Sequence, residues 1–317
     1  MRSPLSSALA FLGSILLVTG GTAESQEASF SGHRNAVRSV ACSADGRMIA
    51  SASLDKTVRV WQTDQSNAMR VLGEFPGSVL SVAVGTEGHL LVLGCADNTI
   101  RVCTCTDGAV LRTIVTTSGP VYSVAISPDG HYVASSGNDG SVRIWQLEDG
   151  TLVRTFAGHA APVWSVAFSP DGRYLLSASS DHKVGVWNVA DGALIRTLEG
   201  HTAPVFDVTV TPDGRYVLSG GVDRTIRVWN LSTGTLIRTM RGHTGTVYGV
   251  AVNPGGTCVA SSSADGTVRV WDISSGLVQR TFSNETAIRD ITFTGDGCNL
   301  VGGCDDKTVK IWSVRPS

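Results

Sequence analysis

An excess of either charge is what this chain lacks. Its 317 residues carry 25 Lys and Arg against 27 Asp and Glu, a net charge of −2, so neither nucleic acid nor an anionic membrane is expected as the main partner. A bilayer-spanning run is missing as well. The apolar stretch from Leu5 to Val18 has 14 residues, with Ser6, Ser7 and Ser14 inside it, short of the roughly 20 that a spanning helix needs. Gly-x-Ser-x-Gly, Gly-x-x-x-x-Gly-Lys, His-Glu-x-x-His and Cys-x-x-Cys-His are all absent. No catalytic residue, cofactor or metal is therefore expected. With 42% hydrophobic and only 16% charged residues, general disorder is excluded too.

What is there begins with a leader. Arg2 supplies an early positive charge, Leu5 to Val18 an apolar segment, and Gly21-Thr22-Ala23 a small-residue ending, which is the layout of a secretory signal cleaved near Ala23. No Cys near that point could carry a lipid, and no twin-Arg pair precedes it. Residues 1–23 are expected to be a signal peptide and residues 24–317 the mature protein, periplasmic or extracellular, with no stable membrane insertion after cleavage. Retention as an uncleaved anchor is the alternative.

The remainder is organised by one period. Trp61, Trp145, Trp187, Trp229 and Trp271 lie on a spacing of 42 residues, with Cys103 on the empty mark and Trp312 one residue early. Seven such units would account for everything after residue 23. Within a unit the apolar residues alternate, as in Val163-Trp164-Ser165-Val166-Ala167-Phe168, which is strand patterning. Pro128-Asp129-Gly130, Pro170-Asp171-Gly172 and Pro212-Asp213-Gly214 provide tight reversals, and Gly108, Gly150, Gly192, Gly234 and Gly276 mark further turns. Each unit reads as four short antiparallel strands, with Leu152-Val153-Arg154-Thr155-Phe156 and its copies leading into the next. Four-stranded units repeated in series bury their faces by packing around an axis, so the fold expected is all-β, a seven-bladed β-propeller.

The chain at this point resembles the WD40 repeat family. The resemblance rests on Gly32-His33, Gly158-His159, Gly200-His201 and Gly242-His243, on the Asp six residues before each Trp mark, and on endings such as Val60-Trp61, Ile144-Trp145 and Val270-Trp271-Asp272. It covers residues 25–317. It implies a ring closed by pairing of the N- and C-terminal strands, with Gln26 to Phe30 supplying the outer strand that the last unit lacks.

Periodic His, Ser and Asp residues invite a Ser-His-Asp reading, but an enzyme has no use for four copies of one nucleophile. The resemblance implies instead a buried structural network in which Asp orients His, His contacts Ser, and Ser meets the Trp N–H. The sets are His33, Ser51, Asp55 and Trp61 in blade one; His159, Ser177, Asp181 and Trp187 in blade four; His201, Ser219, Asp223 and Trp229 in blade five; and His243, Ser261, Asp265 and Trp271 in blade six. Blade two has Phe75, Leu93 and Cys103 for His, Ser and Trp but keeps Asp97; Thr117 replaces the His in blade three; blade seven has Asn284 for His and Gly302 for Ser. These departures are expected to loosen blades two and seven locally. The seven Cys show no metal-ligand spacing and read mainly as buried free thiols. Cys103 and Cys105 are expected on one face of one strand, and a single disulfide between blades stays open.

In the family the rim at the start of the innermost strands is the usual docking surface. The resemblance places Arg38, Leu80, Tyr122, Trp164, Phe206, Tyr248 and Arg289 there, one from each blade, at fixed phase but with varying identity. Four successive aromatics flanked by arginines have the composition of an interaction hot spot, or else they fill the channel mouth. Asn138, Ser180 and Asp305 are expected to add polar contacts, and Pro120, Pro162 and Pro204 to stiffen the rim. The function expected is a non-catalytic exported platform for one or more proteins, monomeric by itself. A soluble accessory of an exported cytochrome-linked complex, with haem on the partner, is one alternative. A small-molecule binder or enzyme at the channel mouth is the other, with only Asp207, Asp290 and Asp305 near such a site.

Overall fold

Alternating strands and fixed turns assemble into seven four-stranded antiparallel sheets. A computed structural model describes residues 28–63, 68–85, 87–117 and 119–314; the leader expected over residues 1–23 lies outside the described residues. All regular elements among the described residues are strands. Blade three is representative, running outward from the axis as Val121–Ile126, Tyr132–Gly137, Ser141–Gln146 and Leu152–Ala157. The reversals occur where Gly was expected, with φ of 74° at Gly130, 70° at Gly172 and 70° at Gly214. Ser169 Oγ donates to Asp171 Oδ1 at 2.6 Å and clips one of these turns internally.

Alternation fails in the second strand of each blade, and packing gives the reason. Val133, Ala134, Ser135, Ser136 and Gly137 are consecutively buried because neighbouring blades cover both faces of the sheet. The core is divided into seven clusters between blades; in one, Ala134, Val142, Ile144 and Phe156 of blade three meet Val163, Val166, Leu175 and Trp187 of blade four. Outer strands retain a single fully inward residue, as in Leu152–Ala157, where Phe156 is buried.

Closure follows the expected pairing. Ala28–Phe30 lies against Val309–Ser313, with Ala28 opposite Ile311, Ser29 opposite Lys310 and Phe30 opposite Val309. Residues 26 and 27 of the expected closing strand lie outside the described residues. Phe30 then stacks on Trp61 of blade one at 5.3 Å, so the closing strand also contributes to the neighbouring interface.

One detail of the cysteine reading is corrected. The strand holding Cys103 ends at Thr104, so Cys105 sits in the following turn rather than on a shared strand face. All seven cysteines are free thiols. Cys95, Cys103 and Cys105 are buried in one cluster, and burial pushes the Cys103 and Cys105 thiols up to about 11.

Candidate functional site

The His-Ser-Asp-Trp sets come together in all four blades. In blade one Asp55 holds His33 Nδ1 at 2.9 Å, His33 Nε2 meets Ser51 Oγ at 2.8 Å, and Trp61 Nε1 donates to the same oxygen at 2.8 Å. The corresponding contacts are 2.8, 2.7 and 2.7 Å through His159, Ser177 and Trp187, and 2.8, 2.8 and 2.9 Å through His201, Ser219 and Trp229. In blade six they are 2.8, 2.7 and 2.8 Å through His243, Ser261 and Trp271, with Asp181, Asp223 and Asp265 completing the three sets. An ionised Asp can only accept, so Nδ1 carries the proton and Nε2 accepts the Ser hydroxyl. Ser51, Ser177, Ser219 and Ser261 are each 0% exposed, beyond the reach of any substrate. Burial alone would raise the Asp55 carboxyl, but hydrogen bonds from Thr57, the Arg34 N–H and His33 outweigh it and hold it at about 2. Burial lowers His33.

Where the His is missing, a strand cation four residues after the Asp takes its place. Arg101 donates twice to Asp97, at 3.1 and 2.7 Å; Arg143 meets Asp139 at 2.6 Å; Lys310 meets Asp306 at 2.8 Å and also bonds Asn284. Blades two and seven thus have a second way of neutralising the turn acid, which the expectation of loosened blades overlooked. The signal in the sequence was the missing His itself, because Arg59, Arg227 and Arg269 also hold the Asp+4 position in blades whose His is present. Blade four, with His159 present, carries Gly185 at that position. Blade seven keeps one defect: the Trp312 N–H is buried without an acceptor. A Cβ on Gly302 would come within 2.6 Å of the Trp312 ring, so the indole itself fills the space of the missing serine.

The rim residues form a second assembly. Each inner strand carries a β-bulge, and the unpaired bulge residue is Arg38, Leu80, Tyr122, Trp164, Phe206, Tyr248 or Arg289. A bulge re-aims one side chain without disturbing the ladder on either side. Val37 and Val40 therefore both face the core although they are three apart, while Arg38 between them turns to the channel mouth. Apolar residues three apart within a strand were the sequence signal for this.

All seven rim residues are half-buried and line one cavity of about 260 Å³. Tyr122 stacks on Trp164 at 4.5 Å, Trp164 meets Phe206 at 5.1 Å, Phe206 meets Tyr248 at 5.6 Å, and the Arg289 guanidinium lies 4.4 Å over the Tyr248 ring. Asn138, Ser180 and Asp305 hold their own blade's rim residue: Tyr122 Oη donates to Asn138 at 3.4 Å, Trp164 Nε1 to Ser180 at 2.6 Å, and Arg289 makes a fork of 2.7 and 2.6 Å to Asp305. Phe206 and Tyr248 have Val222 and Ala264 at the equivalent position. The crown is thus fixed by its own framework before anything binds.

Beneath it runs a belt that sequence reasoning missed. The residue after each bulge is Ser39, Ser81, Ser123, Ser165, Asp207, Gly249 or Asp290. Five of their side chains accept the inner-strand N–H of the next blade, from Val82 to Ser39 at 3.3 Å, from Val124 to Ser81 at 3.1 Å, from Val166 to Ser123 at 3.3 Å, from Val250 to Asp207 at 2.8 Å and from Val40 to Asp290 at 2.9 Å, while Gly249 has no side chain and the Ile291 N–H goes to Asp290. Ser165 donates to Asp207 at 2.6 Å instead. Burial and then the charge of Asp290 push the Asp207 carboxyl up to about 7, and burial raises Asp290. Both acids are spent on backbone N–H groups, and no cluster of three or more metal-ligating side chains occurs among the described residues.

A family model described as "WD domain, G-beta repeat" matches the chain over residues 24–62, 69–103, 108–146, 150–188, 192–230, 234–272 and 276–313. No curated protein matches it.

Proposed function

The chain belongs to the WD40 repeat family, whose propellers serve in general as platforms for protein–protein contact, and from that premise we propose that this one is an exported, non-catalytic platform docking a partner on its seven-residue crown. One observation carries the reading. Seven bulge residues at identical phase, each half-buried and lining one cavity, differ in identity from blade to blade. Scaffolding at a repeated position favours one residue type, as the turn Asp present in all seven blades illustrates; variation at fixed phase is what discrimination between partners requires. The arc from Tyr122 to Tyr248 supplies large rigid side chains whose ordering is already complete. Export rests on the leader layout of residues 1–23, with residues 24–317 as the mature propeller.

The test is capture from the exported fraction of the native host with the chain from Glu24, beside a folded Trp164→Ala, Phe206→Ala double variant. A protein retained by the first bait and lost from the second is expected; equal retention overturns the assignment of the face. N-terminal sequencing of the recovered protein is expected to begin near Glu24, and an intact Met1 would overturn cleavage.

A further inference from the structure

We propose that the crown receives an acidic side chain of a partner segment at the junction of blades seven and one, seated on Arg38, while an apolar neighbour in the same segment lies on the aromatic arc. This rests on the platform reading and names the chemistry of its occupant.

The argument starts from an asymmetry between two arginines. Arg289 is fully committed, forked to Asp305 and stacked over Tyr248. Arg38, beside it on the same cavity wall, makes no hydrogen bond or ion pair with any described residue. Burial first, and then the charge of Arg289, lower its pKa. Its guanidinium is half-buried, reaches the cavity and has no acceptor among the described residues, so an incoming carboxylate can take its five donors in a charge-assisted pair. The acids nearest by are not available to it. Asp305 is held by Arg289, and Asp290 accepts the Val40 and Ile291 N–H groups in the belt.

The rest of the cavity selects the form of the ligand. A cationic ligand is disfavoured: it would meet two guanidiniums, Tyr248 already has one of them over its ring, and Tyr122 and Trp164 spend a face on each other. About 260 Å³ admits one or two side chains rather than a folded element. Leu54 and Leu80 on one side of Arg38, and Phe206 farther round, suit an aliphatic or aromatic neighbour of the acid. An inorganic anion would satisfy Arg38 and leave those surfaces wet, so a peptide carrying both chemistries uses more of the site.

The experiment is selection of random heptapeptides displayed inside a loop, without free ends, on the purified protein. Selected peptides are expected to pair Asp or Glu with an adjacent apolar residue. Their binding should fall at least about tenfold on Arg38→Gln or on Asp→Asn in the peptide, as expected for loss of a charge-assisted pair. Leu80→Glu, which puts a competing carboxylate at the next rim position, should abolish that binding and serves in place of Arg38→Gln if the latter does not melt like wild type. Peptides that are lost on Trp164→Ala but carry no acid, or ignore Arg38→Gln, overturn the inference and leave the platform standing. A requirement for a free C-terminal carboxylate in a parallel library overturns the side-chain assignment. If no peptide depends on any crown residue, the docking face falls and the inference with it.

Discussion

The Asp207 carboxylate accepts the Val250 N–H of the next blade at 2.8 Å, a task that serines perform in three other blades. It does so half-buried in the cavity wall, with its pKa raised to about 7 by burial and by Asp290. The ionised form is therefore penalised in the fold relative to the unfolded chain. That penalty is absent below pH 4, grows between about 4 and 7, and is complete above, where it amounts to roughly 4 kcal/mol at most. Asp207→Ser restores the belt, because Ser165 can then accept the Val208 N–H as Ser123 accepts that of Val166. The substitution should raise the melting temperature by several degrees at pH 8 and by much less at pH 4. Equal gains at both pH values would contradict the account.

Arg101 and Arg59 occupy the same strand position in blades two and one but should not be equally important. Arg101 is the ion-pair partner of Asp97, whereas Asp55 has His33, and Arg59 reaches the Gly32 carbonyl instead. Truncating one member of a largely buried pair strands the other charge. Arg101→Ala should cost about 3 kcal/mol in urea unfolding and Arg59→Ala about 1 kcal/mol or less. Similar losses would show that the cation does not substitute for the histidine.

The architecture was legible because it is written seven times: the 42-residue Trp spacing, the turn glycines and the closing strand each correspond to structure. The four His-Ser-Asp-Trp sets were legible for the same reason. What escaped was non-periodic or masked by a smaller period. Strict alternation hid the bulges, since a residue such as Arg38 reads as an ordinary outward position until Val37 and Val40 are both found in the core. The belt was obscured because Ser39 and Asp207 do one job with different chemistry. Arg101, Arg143 and Lys310 stand in for the histidine at a position that Arg59, Arg227 and Arg269 hold in blades whose histidine is present, so the cation alone did not mark the substitution. The crown's phase could be read from the sequence, but its internal supports, such as Trp164 on Ser180, depend on which side chains the bulge brings within reach.

Trp187 and Trp312 are both buried, yet only one has its N–H satisfied: Trp187 donates to Ser177 at 2.7 Å, and Trp312 has no acceptor. Trp→Phe removes similar volume at either site. At position 187 it also deletes a hydrogen bond and leaves Ser177 with one contact fewer; at position 312 it removes an unsatisfied donor. Trp187→Phe should be the more destabilising by about 1–2 kcal/mol. Matched denaturant curves decide this, and a larger loss at 312 would mean that its N–H has an acceptor after all.

Phe30 lies in the first described strand, where truncation usually has little consequence. Here the expectation is the reverse. Phe30 is 2% exposed, opposes Val309 in the last blade and stacks on Trp61 in the first. It shares its core cluster with Val37, Val40, Val301 and Ile311, so one ring joins the two ends of the chain. Phe156 is its counterpart inside the sequence, 1% exposed and 5.9 Å from Trp187. Phe30→Ala should therefore cost about as much as Phe156→Ala, on the order of 3–5 kcal/mol. It should also raise hydrogen exchange in Val309–Ser313, because the strand that shields that edge is loosened. A loss below about 1 kcal/mol, with protection of that edge unchanged, would show that the ring is held by its inner contacts alone.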